Sequence, residues 1–220
     1  MTAVQVQYRP CAICGGTACH MLHEMRFALP QGSPLPAGYA VIACARCGFV
    51  YADTPGSAAD YARHYEEFSH YEDPAIATGS GEQAFDRQRL AETADWLAQH
   101  VETGTRVLDI GCGNGGLLQA LRERGFNSLA GMDPSANCVA RLGTMGFRAW
   151  RGWLGDLPPA QEKFDLIILS HVLEHLLDPR PALASLHALL TESGRVYVET
   201  PDAARYADFP SVPFYYFDSE

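Results

Sequence analysis

The sequence predicts an α/β fold: a doubly wound parallel sheet behind a small cysteine-rich N-terminal module. Three observations carry that prediction. Short apolar runs alternate with helical patterns from residue 106 to 200, a glycine-rich turn joins the first run to its helix, and two Cys-x-x-Cys pairs precede the whole.

The pairs are Cys11/Cys14 and Cys44/Cys47, each followed directly by glycine, Gly15 and Gly48. Thiolates spaced this way on tight turns supply half of a tetrahedral metal site, and two such knuckles close one around structural zinc. With four sulfurs bound no coordination position stays open, so the metal is expected to fold the module and take no part in chemistry. The intervening segment, 15–43, is longer than in a simple ribbon and implies a loop insertion around Gly32-Ser33-Pro34-Leu35-Pro36. A strand is expected over Tyr39 to Ala43. Cys19, His20 and His23 are alternative ligands, and a disulfide pairing is disfavoured in a reducing compartment.

Residues 1–57 thus read as the zinc-binding module and 58–81 as an aromatic linker carrying Tyr61, His64, Tyr65, Phe68, His70 and Tyr71. From 82 to 203 the pattern becomes regular. An amphipathic helix spans Glu82 to Val101, with Phe85, Leu90, Ala94, Trp96 and Leu97 on its apolar side. Then follow a strand (Arg106 to Ile110), helix (Leu117 to Arg124), strand (Ser128 to Asp133), helix (Ser135 to Met145), strands (Phe147 to Arg151 and Phe164 to Ser170), helix (Pro181 to Leu190) and strand (Arg195 to Thr200). Such alternation builds a Rossmann-like sheet with its ligand at the carboxyl ends of the strands. Residues 204–220, rich in Tyr and Phe, read as the start of a further C-terminal segment.

The chemistry concentrates in Val107-Leu108-Asp109-Ile110-Gly111-Cys112-Gly113-Asn114-Gly115-Gly116. Glycine lets a tight strand-to-helix turn adopt positive φ and brings a ligand against bare backbone at a helix N-terminus. The next strand ends in Asp133, near the offset at which a carboxylate grips ribose hydroxyls. Gly111, Gly113 and Gly116 also satisfy the dinucleotide pattern G-x-G-x-x-G. Asp109 decides between the two, because it would repel a pyrophosphate and attract a cation. S-adenosylmethionine carries a sulfonium and an ammonium beside its adenosine, so Asp109 is placed near the methionine end and Asp133 on the ribose. The single lysine, Lys163, follows Pro159 at four residues, so the Tyr-x-x-x-Lys pair of short-chain dehydrogenases is missing.

Composition excludes other classes. Of 220 residues 47% are hydrophobic, enough for one good core and a satellite, and the formal net charge is −10 with only 16 Lys and Arg scattered along the chain. Nucleic acid and anionic membranes are therefore not the expected partners, and a small-molecule substrate is. The N-terminus lacks the apolar run of a signal and no stretch is long enough to span a bilayer, so a cytoplasmic location is expected.

The glycine turn with Asp109, the Gly131-Met132-Asp133-Pro134-Ser135 strand end, and Phe164-Asp165-Leu166-Ile167-Ile168-Leu169-Ser170-His171-Val172-Leu173-Glu174-His175 together resemble class I S-adenosylmethionine-dependent methyltransferases over about Glu82 to Asp202. The cysteine module followed by Cys47-Gly48-Phe49-Val50-Tyr51 is further similar to the sugar C-methyltransferases of deoxysugar pathways. That resemblance implies cofactor contacts from Asp109, Gly111, Cys112, Gly113, Gly115, Asp133, Pro134 and Ser170, with Asp156 and Leu157 near the adenine. It implies a nucleotide-linked sugar as substrate, with Tyr71 and Glu220 in segments that contact substrate or act as acid and base. Members of that group usually continue into a third domain, with a histidine after the glutamate corresponding to Glu220, which is the last residue here.

For C-methylation beside a keto group a base must take a proton from carbon, and His175 and His171 follow the fourth strand where substrate approaches. Other readings of the same residues are a capping role for His171, a core hydrogen bond for His175, and the H-x-x-E-H pattern of inverted zinc proteases, which the preceding apolar strand disfavours. Trp150 and Trp153 are candidates to cover the adenine, and Cys112 and Cys138 read as small buried residues. Alternatives at the level of function are an O-methyltransferase of another small metabolite and a cofactor-binding protein without turnover.

Overall fold

The structure, a computed structural model, describes residues 8–26, 28–68, 80–154 and 162–201. The chain divides into two compact units, Met1–Phe68 with Leu177–Arg180, and Ser69–Leu176 with Pro181–Glu220.

In the first unit β1 (Cys19–Arg26), β2 (Gly38–Cys44) and β3 (Val50–Asp53) form an antiparallel sheet in that order, followed by α1 (Ala58–Glu67). The strand expected at Tyr39 is β2, the middle strand. Neither β1 nor β3 carries a sequence signal: β1 is an edge whose residues are exposed apart from Met25 and half-buried Cys19, so no two-residue alternation marks it. Gly38 opens β2 because a Cβ there would lie 2.1 Å from the Met25 carbonyl oxygen. The segment read as linker contains α1, begun by a capping box in which Ser57 Oγ accepts from the Asp60 N–H and the Asp60 carboxylate accepts from the Ser57 N–H. The buried core here is small: Cys11, Ile42, Cys44 and Tyr51.

The second unit is the doubly wound sheet. Its strands β4 (Arg106–Ile110), β5 (Ser128–Asp133), β6 (Arg148–Arg151), β7 (Phe164–Ser170) and β8 (Leu190–Glu199) are all parallel and ordered β6-β5-β4-β7-β8. Helices α2 (Ala84–His100), α3 (Gly116–Glu123), α4 (Ala136–Thr144) and α5 (Pro179–Leu186) connect or flank them. The order reverses at β4, which puts the crevice between the carboxyl ends of β4 and its neighbours. Alternation along β4 serves two cores: Leu108 and Ile110 join Met132, Ile167, Leu169 and Leu186, while Val107 joins Leu97, Leu118, Leu121 and Phe126. Asp109 shares the face of Val107, toward α2 and α3.

The helix α2 departs from expectation. Phe85 is 80% and Trp96 48% exposed, and the buried face is Asp86, Leu90, Thr93, Ala94 and Leu97. Two polar residues take inner positions because each has a partner there: Asp86 binds Arg89, and Thr93 reaches Glu199. Trp96 instead stacks on His100, with ring centroids 4.0 Å apart. At the other edge β8 begins at Leu190, earlier than its apolar pattern suggests, because Leu190 pairs with Phe164 and Arg195 with Leu166 across a bulge that the exposed Glu192 and Ser193 conceal.

Candidate active site

The glycine turn is built by three left-handed residues, Gly111, Gly113 and Gly115, at φ 72, 50 and 81°. The Gly111 N–H donates to the Met132 carbonyl at 2.7 Å, which ties the turn to β5. A Cβ on Gly111 would come within 2.7 Å of Val172 Cγ2, whereas one on Gly113 would meet nothing within 4 Å. Gly113 therefore offers open backbone to a ligand, and Gly115 is the N-cap from which α3 starts.

Two carboxylates flank this turn. Asp133 accepts from the Gly113 N–H at 2.8 Å and from the Ser135 N–H at 2.9 Å, one on each oxygen, so each oxygen keeps capacity for a ligand hydroxyl. Burial raises its pKa despite those two donors. Asp109 is 3% exposed, and burial, then the neighbouring Asp133, push its carboxyl up to about 8. A cation arriving between them would favour the charged form of both carboxyls.

Beyond β7 the chain turns through His171, a non-glycine residue at φ 56°, into a short 3-10 turn, Leu173–His175. The His171 Nδ1 lies 3.1 Å from Glu174 Oε1 and its Nε2 3.7 Å from Glu199 Oε1, and these carboxylates raise its pKa to about 9. It is therefore an imidazolium at neutral pH, which removes the physical ground for expecting it to act as a base. His175 is the opposite case, pushed down by burial and so neutral. Ser170 Oγ donates to Glu199 Oε2 at 2.8 Å, and Arg89 reaches Glu199 at 3.4 Å and Asp86 at 3.1 Å.

Asp109, Gly111, Gly113, Gly115, Asp133, Pro134, Ser170, His171 and His175 thus all lie at the carboxyl ends of the strands or in the turns that follow them. Cys112 does too, but its side chain points into the core, where a Cβ on Gly131 would meet its Sγ at 2.6 Å. Its thiol is pushed up by burial. Trp150 packs edge-on against Phe164. Tyr71, Asp156, Leu157 and Glu220 lie outside the described residues. Glu199, Arg89 and Asp86 were not foreseen. The signal available for Glu199 was an acid closing the last apolar strand, as Asp133 closes the second.

In the first unit the sulfurs of Cys11, Cys14, Cys44 and Cys47 all lie within 4.8 Å of one another, with Cys11 to Cys47 at 3.7 Å and Cys14 to Cys44 at 3.5 Å. The two knuckles repeat one geometry. The Gly15 N–H donates to the Cys11 carbonyl and the Gly48 N–H to the Cys44 carbonyl, with both glycines left-handed. Backbone N–H groups of Cys47 and Arg46 lower the Cys44 thiol to about 6, while burial and the neighbouring sulfurs push Cys47 up to about 12. The cluster excludes Cys19, His20 and His23.

Residues 83–215 match the family model described as a methyltransferase domain. The chain belongs to that family. Among curated relatives, the tRNA U34 carboxymethyltransferase of Colwellia psychrerythraea is 33% identical over 119 residues, 48% of this chain and 35% of that one. The ubiquinone biosynthesis O-methyltransferase of Pseudomonas aeruginosa is 34% identical over 114 residues, 48% of this chain and 49% of that one. The chain therefore spans between about a third and a half of these relatives' length. The plantazolicin methyltransferase BpumL, solved with SAH, superposes at a TM-score of 0.53 with 18% identity over 67% of this chain and 60% of that one, a likeness of fold. The methyltransferase domain accounts for the glycine turn and the paired carboxylates, since the family works with S-adenosylmethionine. Among the described residues no helix is long and apolar enough to cross a membrane.

Proposed function

We propose that this chain is an S-adenosylmethionine-dependent methyltransferase that methylates a small molecule, by C-methylation of a nucleotide-linked deoxysugar, and that its cysteine cluster holds a structural zinc ion. The observation that carries the cofactor half is the pair of buried strand-end carboxylates about the glycine turn. Asp133 has free acceptor capacity for ribose hydroxyls, the open face of Gly113 admits the nucleoside, and Asp109 gains most from a positive ligand. Pro134 is a further cofactor contact in this reading, and Asp156 and Leu157, outside the described residues, are assigned to the adenine.

When bound, S-adenosylmethionine supplies an electrophilic methyl group on a sulfonium. The chain's own residues must then align the acceptor and remove a proton. Neutral His175 is the base that takes the proton from the carbon beside a keto group, while Tyr71 and Glu220 assist at the substrate. His175 would carry that proton away and leave the carbon's electron pair free for the methyl group that the cofactor would supply.

For zinc, the donor set fits. Four thiolates at about 2.3 Å from one ion stand about 3.8 Å apart in a tetrahedron, close to the 3.5 and 3.7 Å separations of the two sulfur pairs. The sugar assignment is supported by the pairing of this cluster with a methyltransferase domain, and the net charge of −10 disfavours a polynucleotide acceptor. The ubiquinone O-methyltransferase relative favours a second reading, O-methylation, which shares the cofactor half.

Calorimetry on the full chain tests the first half: S-adenosylmethionine is expected to bind and NAD not to, and the reverse result overturns the reading. Solvent deuterium entering a nucleoside diphosphate-linked keto sugar beside its carbonyl supports C-methylation. Methyl transfer to oxygen without exchange supports the second reading, and transfer into tRNA removes both.

A further inference from the structure

Resting on the C-methylation reading, we propose that His171 is a fixed, charged hydrogen-bond donor to the substrate oxygen that gathers negative charge, and that Glu174 and Glu199 are the positioning residues that hold it in that state.

The geometry makes the case. His171 sits in the left-handed region, unusual for a residue with a bulky side chain, and such strain is retained where surroundings over-determine it. Here they do, because its N–H donates to the Glu199 carbonyl at 2.9 Å and its Nδ1 bonds Glu174 at 3.1 Å. The Nε2 is 3.7 Å from Glu199, outside hydrogen-bond length, so that N–H is steered by the carboxylate yet remains able to donate to a ligand oxygen.

Glu199 is itself held from three sides, by Ser170 at 2.8 Å, Thr93 at 3.4 Å and Arg89 at 3.4 Å, with Asp86 fixing Arg89 from behind. The charged groups facing His171 are therefore Glu174 from the 3-10 turn, Glu199 from β8 and Arg89 from α2, with titratable His175 beside them. Two carboxylates outweigh one guanidinium, and the ring stays protonated at about neutral pH. An oxygen turning into an enolate beside that ring gains a charged donor that needs no reorganisation. His171 and His175 thus divide the work by environment, one exposed to carboxylates and the other buried.

The test is a histidine-labelled NMR titration of the full chain. His171 should remain protonated on both nitrogens up to about pH 8, and Glu199→Gln and Glu174→Gln should each lower its midpoint by a pH unit or more. A wild-type midpoint at or below 6.5, or one unmoved in both variants, overturns the proposal. His171→Asn tolerates the left-handed backbone and removes the charge. It is expected to cut deuterium exchange into a nucleoside diphosphate-linked keto sugar by tenfold or more, with S-adenosylmethionine affinity within threefold of wild type, and exchange within twofold of wild type overturns the donor role. Where the wild type binds S-adenosylmethionine but exchanges no keto sugar, the C-methylation reading fails and takes the donor role with it, while the ring titration still decides whether Glu174 and Glu199 hold His171 charged.

Discussion

The cysteine unit and the parallel-sheet unit solve the same problem by different means. The sheet buries two apolar layers around β4, with Leu97, Leu108, Leu118, Leu121, Ile167 and Leu169 among side chains of no measurable exposure. The cysteine unit has Ile42 and Tyr51 beside Cys11 and Cys44, far too little apolar area to offset chain entropy. What the second achieves by packing, the first would achieve by coordination if its cysteines hold the proposed zinc ion. The same division would set their roles, since four sulfurs closed around the proposed ion would leave no position for chemistry, while the sheet leaves its strand ends open.

Removing metal should break this contrast most sharply. Structural zinc contributes about 10–16 kcal/mol of folding free energy at neutral pH in small modules. Chelation, or Cys44→Ser, is expected to release about one zinc per chain by mass spectrometry of the metal and to abolish the amide protection of β1–β3. The sheet should keep its protection and its S-adenosylmethionine affinity. Loss of cofactor binding along with the metal would show that the ion does more than fold its own unit.

A second break can be made inside the sheet with one methyl group. Gly111→Ala places a Cβ 2.7 Å from Val172 Cγ2 on a residue at φ 72°. Left-handed strain of about 1–2 kcal/mol adds to overpacking of about 1–3 kcal/mol. Isothermal titration should show S-adenosylmethionine affinity falling at least tenfold with the zinc content unchanged. Gly113→Ala, with open space around its Cβ, should cost folding less than Gly111→Ala; equal melting temperatures for the two variants would refute that ranking.

Proton linkage sharpens the comparison further, because the sheet holds its charge problem in a buried carboxyl and the cysteine unit in thiolates. With its carboxyl at about 8 against 3.8 when unfolded, Asp109 keeps a proton on the folded chain over that window which the unfolded chain has released. Stability of the free sheet should therefore fall as pH rises from about 4 to about 8 and level off above it. A cationic ligand favours the carboxylate, so S-adenosylmethionine affinity should move the other way, rising by up to tenfold per pH unit until about pH 8, with a proton released on binding. Asp109→Asn should flatten both curves. A calorimetric affinity independent of pH in the wild type would remove Asp109 from the positive end of the ligand.

The strand ends were legible because their signals are local. Asp109, the glycines of the turn and Asp133 lie on contiguous apolar strands whose pattern places them, and each of β4, β5 and β7 runs where its residues indicate. The four cysteines were legible for a like reason, as chemistry at fixed spacing. Glu199, Arg89 and Asp86 were not, since their meaning arises only when β8 is laid beside β7 and α2 packs over both. The state of His171 follows from that same long-range pairing, so a sequence motif could mark the histidine but not its charge. The strand β1 escaped notice because its exposed residues impose no period, and β3 because four residues with Tyr51 alone buried are too few to show one.

The smallest expected effect lies where pattern and packing parted. Phe85 belongs to the apolar side that periodicity assigns to α2, yet it is 80% exposed, while Leu97 on the same helix is fully buried. Asp86 occupies the inner position next to Phe85 because Arg89 and the Gly81 N–H satisfy its carboxylate, and a phenyl ring there would take that acceptor from the Gly81 N–H and from Arg89. Phe85→Ser should therefore change the melting free energy by about 0.5 kcal/mol or less, against about 2–5 kcal/mol for Leu97→Ala. Equal losses for the two would mean that something covers Phe85 in solution and that the polar face of α2 is the one facing outward.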